Sequence, residues 1–174
     1  MWVCWKIVLS HIICLTIMKN QKAISNILAE IKNQIDEFLP DYDVKFESPM
    51  NIHQDKQVSL FIYDVEENMS YKLSSKEDVN VDIPKNIALN MKFLVTIFDA
   101  DNYESTISFT RLYLGLNKTD FIKNVDNQTL QRESTKLVID STGYDVWTKL
   151  FPQSDYRQSI SFIAQHVTIS VDDS

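Results

Sequence analysis

The chain has 174 residues, of which 44% are hydrophobic and 24% charged, enough for one globular domain with a real core. Its net charge is −7 and no Lys/Arg cluster offsets this, which argues against direct binding to a nucleic-acid backbone. With only two glycines, Gly115 and Gly143, Gly-rich phosphate loops are excluded, and the two cysteines, Cys4 and Cys14, give neither a disulfide framework nor metal-type spacing.

Residues 1–17, MWVCWKIVLSHIICLTI, are strongly apolar and differ in character from the remainder of the chain. They read as a signal peptide or membrane anchor, as an extra helix packed on the body, or as a stretch upstream of a true start at Met18. The first reading is weakened because the run is short of the ~20 apolar residues that span a bilayer, Lys6 and His11 interrupt it, and it lacks an A-x-A cleavage site. The third is preferred, so a membrane role is not expected. The body, 18–174, is then expected to be a single α+β domain.

Lys19–Leu39 reads as an amphipathic helix, with Ile24, Ile27, Leu28, Ile31, Ile35 and Phe38 at three- and four-residue steps and Pro40 as its stop. Asp43–Glu47 is a short strand candidate with Val44 and Phe46 on one face. Val58–Val65 is a second strand. Glu66–Ile83 is polar and loosely patterned, with Tyr71 and Leu73 suggesting a hairpin fragment or an extension that orders on a partner. From Ile87 to Ile97 every odd position is apolar, the period of a strand, and Leu94 and Phe98 make its far end apolar on both sides. Asp101 with Glu104 three residues later fits the start of a helix that carries Tyr103, Ile107, Phe109, Leu112, Tyr113, Leu114 and Leu116. Its polar strip, Glu104, Ser108 and Arg111, is narrow, so this helix is expected to be covered on more than one side.

Thr119–Val125 reads as a connector and Leu130–Ile139 as a further strand. Tyr144–Phe151 reads as a short helix ended by Pro152. In the final strand, Ser159–Val171, the apolar parity moves from Ile160, Phe162 and Ala164 to Val167, Ile169 and Val171, which suggests a bulge or a change of exposed face.

No residue pattern points to catalysis. His11, His53 and His166 are far apart and lack spaced acidic partners, so no metal site is expected. No G-x-S-x-G occurs. Asp99 and Asp101 are better explained as a turn and a helix cap than as paired catalytic carboxylates. Trp147, Phe151 and Tyr156 read as a core plug under the last strand rather than a binding platform. No cofactor is expected.

Three stretches together carry a resemblance: IPKNIALNMKFLVTIFDADNYESTISFTRLYLGL from Ile83, DVWTKLF from Asp145, and YRQSISFIAQHVTI from Tyr156. In order and spacing they resemble the N-terminal-domain family of tail-tube terminator, or cap, proteins of phage-tail-like contractile injection systems, the antifeeding-prophage type. The resemblance covers most of 18–171; residues 117–136 fit it poorly. It implies an α+β fold with a mixed, mostly antiparallel sheet flanked by helices. It further implies a non-enzymatic structural protein that forms a ring, typically of six copies, caps the inner tube and helps anchor the sheath. Its partners would be itself and tube and sheath proteins, in a particle assembled in the cytoplasm, with no small-molecule substrate. The candidate assembly surface is Tyr103, Ile107, Arg111 and Leu114 on the central helix, with Tyr71 and Leu73. The competing readings are a stand-alone protein-binding adaptor and an enzyme with a polar pocket.

Overall fold

The computed structural model describes residues 24–68, 85–119, 121–123, 134–140 and 143–171. Its organising element is β3 (Lys85–Phe98), whose strict alternation divides the molecule into two layers on one sheet. The odd residues Met91, Phe93, Val95 and Ile97 are buried in the main core. Around β3 lie β1 (Asp43–Lys45), β2 (Gln57–Glu67), β4 (Phe121–Lys123), β5 (Ser134–Ile139) and β6 (Ser159–Val171). Their order is β1-β2-β3-β6-β5-β4, antiparallel throughout except for the parallel β1–β2 pair.

Two helices cover the odd face. Helix α1, residues 24–38, inserts Ile27, Ile31 and Ile35, with Leu39 just past its end, as the three- and four-residue spacing requires. Helix α2 (Asn102–Lys118) adds Leu112 and Leu116. The two helices meet at Gly115, where an added Cβ would lie 2.6 Å from the Phe38 ring. On this face Phe93 and Phe162 stack with centroids 5.0 Å apart. The even face is covered by α3 (Gly143–Leu150), whose Trp147 packs on Phe151 and Tyr156; of the core plug expected from the sequence Trp147 is buried and Phe151 half-buried, but Tyr156 is exposed. Phe61 of β2 meets Phe151 from below. Helix α3 approaches β6 at Gly143, where a Cβ would lie 1.9 Å from the Ser159 carbonyl oxygen.

The parity change in the last strand is a bulge. Leu89 pairs with Val167 and Met91 with Ala164, so Asn90 faces both Gln165 and His166, and His166 takes a left-handed φ of 64°. Histidine is among the residues that enter this region more readily than most. A second bulge lies on the other flank of β3, at Tyr63, between the pairs Ile62–Phe93 and Asp64–Lys92. Bulges of this kind bend a strand and increase its local twist.

Four expectations are corrected. The first strand ends at Lys45 rather than Glu47, so Phe46 lies outside it and is exposed instead of sharing a strand face with Val44. Glu66 and Glu67 belong to β2 rather than to a loop; the rest of that stretch, with Tyr71 and Leu73, lies outside the described residues. The connector after α2 contains a strand, β4, held by pairing with β5. Ser108, placed on the polar strip of α2, is buried because its hydroxyl is bonded to Tyr42.

Candidate functional site

Four of the candidate residues, Tyr103, Ile107, Arg111 and Leu114, lie on α2, and Tyr71 and Leu73 lie outside the described residues. The N-terminus of α2 is fixed by Asp101, whose Oδ1 accepts the Tyr103 and Glu104 amides at 2.8 and 3.4 Å. Asp99 accepts the Asp101 amide at 2.9 Å, the position a reciprocal Glu104 would fill in a full capping box. Beyond the cap, Ser108, Leu112, Gly115 and Leu116 face inward. The opposite side presents Tyr103, which is 71% exposed, Leu114 at 50% and Tyr113 at 41%, with exposed Arg111 and half-buried Ile107 among them. Among the described residues the helix is packed through its Ser108–Leu112–Leu116 side, and Tyr103, Tyr113 and Leu114 are exposed. Exposed Thr106, Thr110 and Asn117 share this side of the helix with them.

The beginning of α2 is clamped to the end of α1 through Tyr42. Its hydroxyl donates to Asp99 and sits 2.9 Å from the Ser108 hydroxyl. Burial, reinforced by the bond to Asp99, pushes the Tyr42 hydroxyl up to about 12, while that same bond holds the Asp99 carboxyl below its ordinary range. Asp99 and Asp101 therefore do the turn and cap work assigned to them.

An open groove of about 630 Å³ runs beside this turn, lined among others by His53, Asp55, Phe98, Asp99, Arg157 and Gln158. Its charged groups already hold the chain together. Asp55 accepts the Ala100 amide at 2.7 Å. Arg157 donates to the Ile52 carbonyl at 3.3 Å and lies over the Phe98 ring at 4.3 Å. Among the described residues no group of three or more His, Cys, Asp or Glu side chains is arranged to hold a metal ion. Nor is any helix among them long and apolar enough to cross a membrane. His53 is exposed on its loop, and His166 is half-buried at the β6 bulge, its Nδ1 3.4 Å from Asn68. Sequence reasoning missed the Tyr42–Asp99–Ser108 cluster because its members are 57 and 66 residues apart.

The described residues, a six-stranded sheet with two helices on one face and one on the other, form an α+β fold that is shared with tube terminators of contractile injection systems. Two solved structures show this. One is the sheath/tube terminator, in the extended state, of the extracellular contractile injection system PVC: 18% identity, TM-score 0.54, covering 83% of this chain and 57% of that one. The other is the tube-terminating cap of the anti-feeding prophage: 15% identity, TM-score 0.58, covering 86% of this chain and 56% of that one. The chain thus spans less than three-fifths of either neighbour's length. No protein-family model and no curated protein sequence matches it.

Proposed function

We propose that this chain terminates the inner tube of a phage-tail-like contractile injection system, as one subunit of a ring, typically of six copies, that contacts tube and sheath. The observation that carries the reading is the fold shared with two tube terminators over more than four-fifths of the chain. Because one fold can host many functions, the surface must also suit the role. A closed ring is built from heterologous contacts, one patch of each subunit meeting a different patch of the next. The outward side of α2, with Tyr103, Ile107, Arg111 and Leu114, is the first of these patches. Tyr71 and Leu73 extend the proposed assembly surface on the evidence of sequence alone. The role is structural and needs no catalytic group or cofactor.

Affinity capture of a tagged copy from the source cells, with mass spectrometry and negative-stain microscopy of the eluate, tests this. Tube and sheath proteins in the eluate, with the tag at one end of rod-shaped particles, are expected. Replacement of Tyr103 and Leu114 by Glu is expected to release the subunit from those particles while leaving it folded, since both side chains lie at the surface. A monomer free of tail proteins in cells that express them overturns the reading in favour of a stand-alone adaptor.

A further inference from the structure

The loop that follows β1 is firmly anchored, yet it holds two large apolar side chains in solvent. Within it Pro49–Asn51 form a short 3₁₀ turn, and the Ser48 hydroxyl accepts the Met50 amide at 3.4 Å. Pro49 and Ile52 are buried, and the Ile52 carbonyl accepts from Arg157 at 3.3 Å. The Glu47 carbonyl accepts from the Ser59 hydroxyl at 2.6 Å, which ties the loop to the even face of the sheet. Between these anchors Phe46 is 47% exposed and Met50 37%, with exposed Glu47 beside them. A pre-organised loop that carries an aromatic ring and a thioether into water has the composition and rigidity of a binding surface. Helix α2, over the odd face, carries the opposite charge pattern. Leu114 stands between Arg111 and Lys118 at three- and four-residue steps, so the three share one side of the helix, and all are exposed. Among the described residues none of Glu47, Arg111 and Lys118 takes part in an ion pair; Lys45, two residues before Glu47, is bridged to Asp43 at 2.7 Å.

We propose that the Phe46–Met50 loop of one copy receives α2 of the next, with Leu114 against Phe46 and Met50 and with Arg111 and Lys118 flanking Glu47. This rests on the ring reading above and names the second of the two patches that such a ring requires. Charge complementarity carries it. The chain as a whole is at −7, so two copies repel except where a cationic strip of one meets an acidic group of the other. Each patch is fixed within its own chain, one over the odd face and one tied to the even face, so the two do not meet in one molecule. A contact between two molecules leaves one patch of each kind free for a further copy, which is what a heterologous contact needs. Loop against loop is a poor alternative, because it would set Glu47 against Glu47. The other exposed aromatic pair, Tyr144 and Tyr156, is already accounted for: the two rings pack on each other, Tyr156 packs on Trp147, and its hydroxyl accepts the Ser159 amide.

The test is sedimentation velocity on the purified full chain, on the loop variant F46E/M50E and on the helix variant Y103E/L114E. The natural chain is expected to form a concentration-dependent species larger than a dimer. Each variant alone is expected to be a monomer, its self-association weakened about a hundredfold or more by the loss of two anchoring side chains. An equimolar mixture of the two variants is expected to give a dimer and nothing larger. The intact loop of one accepts the intact helix of the other, and no second contact remains; a misfolded variant would not do this. Should the charged loop variant unfold, F46S/M50S takes its place. Assembly of F46E/M50E like the natural chain, a mixture of folded variants that stays monomeric, or a natural chain that is monomeric at every concentration overturns the proposal. The terminator role fails separately. A head-to-tail contact here with no tube or sheath protein in the affinity capture removes that role and keeps the contact. Recovery of those proteins while F46E/M50E still assembles keeps the role and removes the contact.

Discussion

Beneath α1 and α2 the sheet offers almost nothing but hydrocarbon: Val58 and Leu60 from β2, Met91, Phe93, Val95 and Ile97 from β3, Ile160, Phe162 and Ala164 from β6. Turned over, the same three strands offer Ser59, Thr96, Ser159 and Ser161, all buried, among Leu94, Phe98 and the rings of Phe61 and Trp147. Each of those hydroxyls has a specific partner. Thr96 and Ser159 are 2.8 Å apart, Ser161 is 3.0 Å from the Tyr63 hydroxyl, and Ser59 donates to the Glu47 carbonyl at 2.6 Å. The apolar face is held by volume and tolerates any side chain of the right bulk. The hydroxyl face is held by pairing, which fails if a strand slips or a loop moves, because a buried hydroxyl without its partner is costly.

The chain's two glycines give the sharpest way to break that comparison, one at each face. At Gly143 an added Cβ meets main chain, the carbonyl of Ser159, which cannot yield without unpairing β6. At Gly115 it meets a side chain, the face of the half-buried Phe38 ring at Cγ, Cδ2 and Cε2, which must shift to make room, and alanine regains about 1 kcal/mol of helix propensity. Gly143→Ala is therefore expected to cost about 3 kcal/mol or more, and Gly115→Ala about 1 kcal/mol or less. Urea unfolding midpoints decide it; equal losses would mean that the two faces accommodate strain alike.

That contrast also marks how far the sequence could be read. The periods of α1 and β3, and the whole of β6 with its parity change, were legible because burial writes itself into spacing: Ile27, Ile31 and Ile35 one helical turn apart, Met91 to Ile97 every second residue. The Asp101 cap was legible because its partners are two and three residues away. What was not legible is long-range. The sequence counts Gly115 and Gly143 but does not say that one lies on Phe38 and the other on β6. Ser108 looked solvated because its partner, Tyr42, belongs to another element. Phe46 looked like part of the first strand because a strand three residues long carries too few positions to fix its end. The candidate surface on α2 was readable as surplus apolar character, but which of its sides faces outward was settled only by the docking of Gly115 onto α1.

The hydroxyl pairing of the even face yields a smaller and more diagnostic effect. The Ser159 hydroxyl donates to the Arg157 carbonyl at 2.8 Å, which leaves it to accept from Thr96. Ser159→Ala strands the buried Thr96 hydroxyl and is expected to cost about 2 kcal/mol; Thr96→Val removes a donor but keeps the shape and is expected to cost about 1 kcal/mol. Together they should cost less than the sum, since the second change removes the group the first has orphaned. A double-mutant cycle on unfolding free energies is expected to show coupling of about 0.5–1 kcal/mol. Strict additivity would reduce the hydroxyls of this face to small space-fillers.

The Tyr42–Asp99–Ser108 cluster is a hydroxyl pairing at the margin of the apolar face, and pH reads it directly. In the unfolded chain tyrosine ionises near ~10; in the fold Tyr42 holds its proton up to about 12. Between those values the unfolded state binds fewer protons than the native state, so stability falls as pH rises through the window and is whole below it. Asp99 works in the opposite sense. Its carboxyl is held below the ordinary range, so its contribution is present above the unfolded value and is lost as pH falls through the folded one. Tyr42→Phe is expected to cost about 1 kcal/mol at neutral pH, a discounted figure because both groups are partly solvated. It should also remove this group's share of the alkaline decline and move acid unfolding to higher pH, since Asp99 then lacks its donor. Thermal midpoints from pH 3 to pH 12 test both arms. If the variant's alkaline decline matches that of the natural chain, the tyrosine does not clamp α1 to α2, and the hydrocarbon beneath the two helices holds that corner alone.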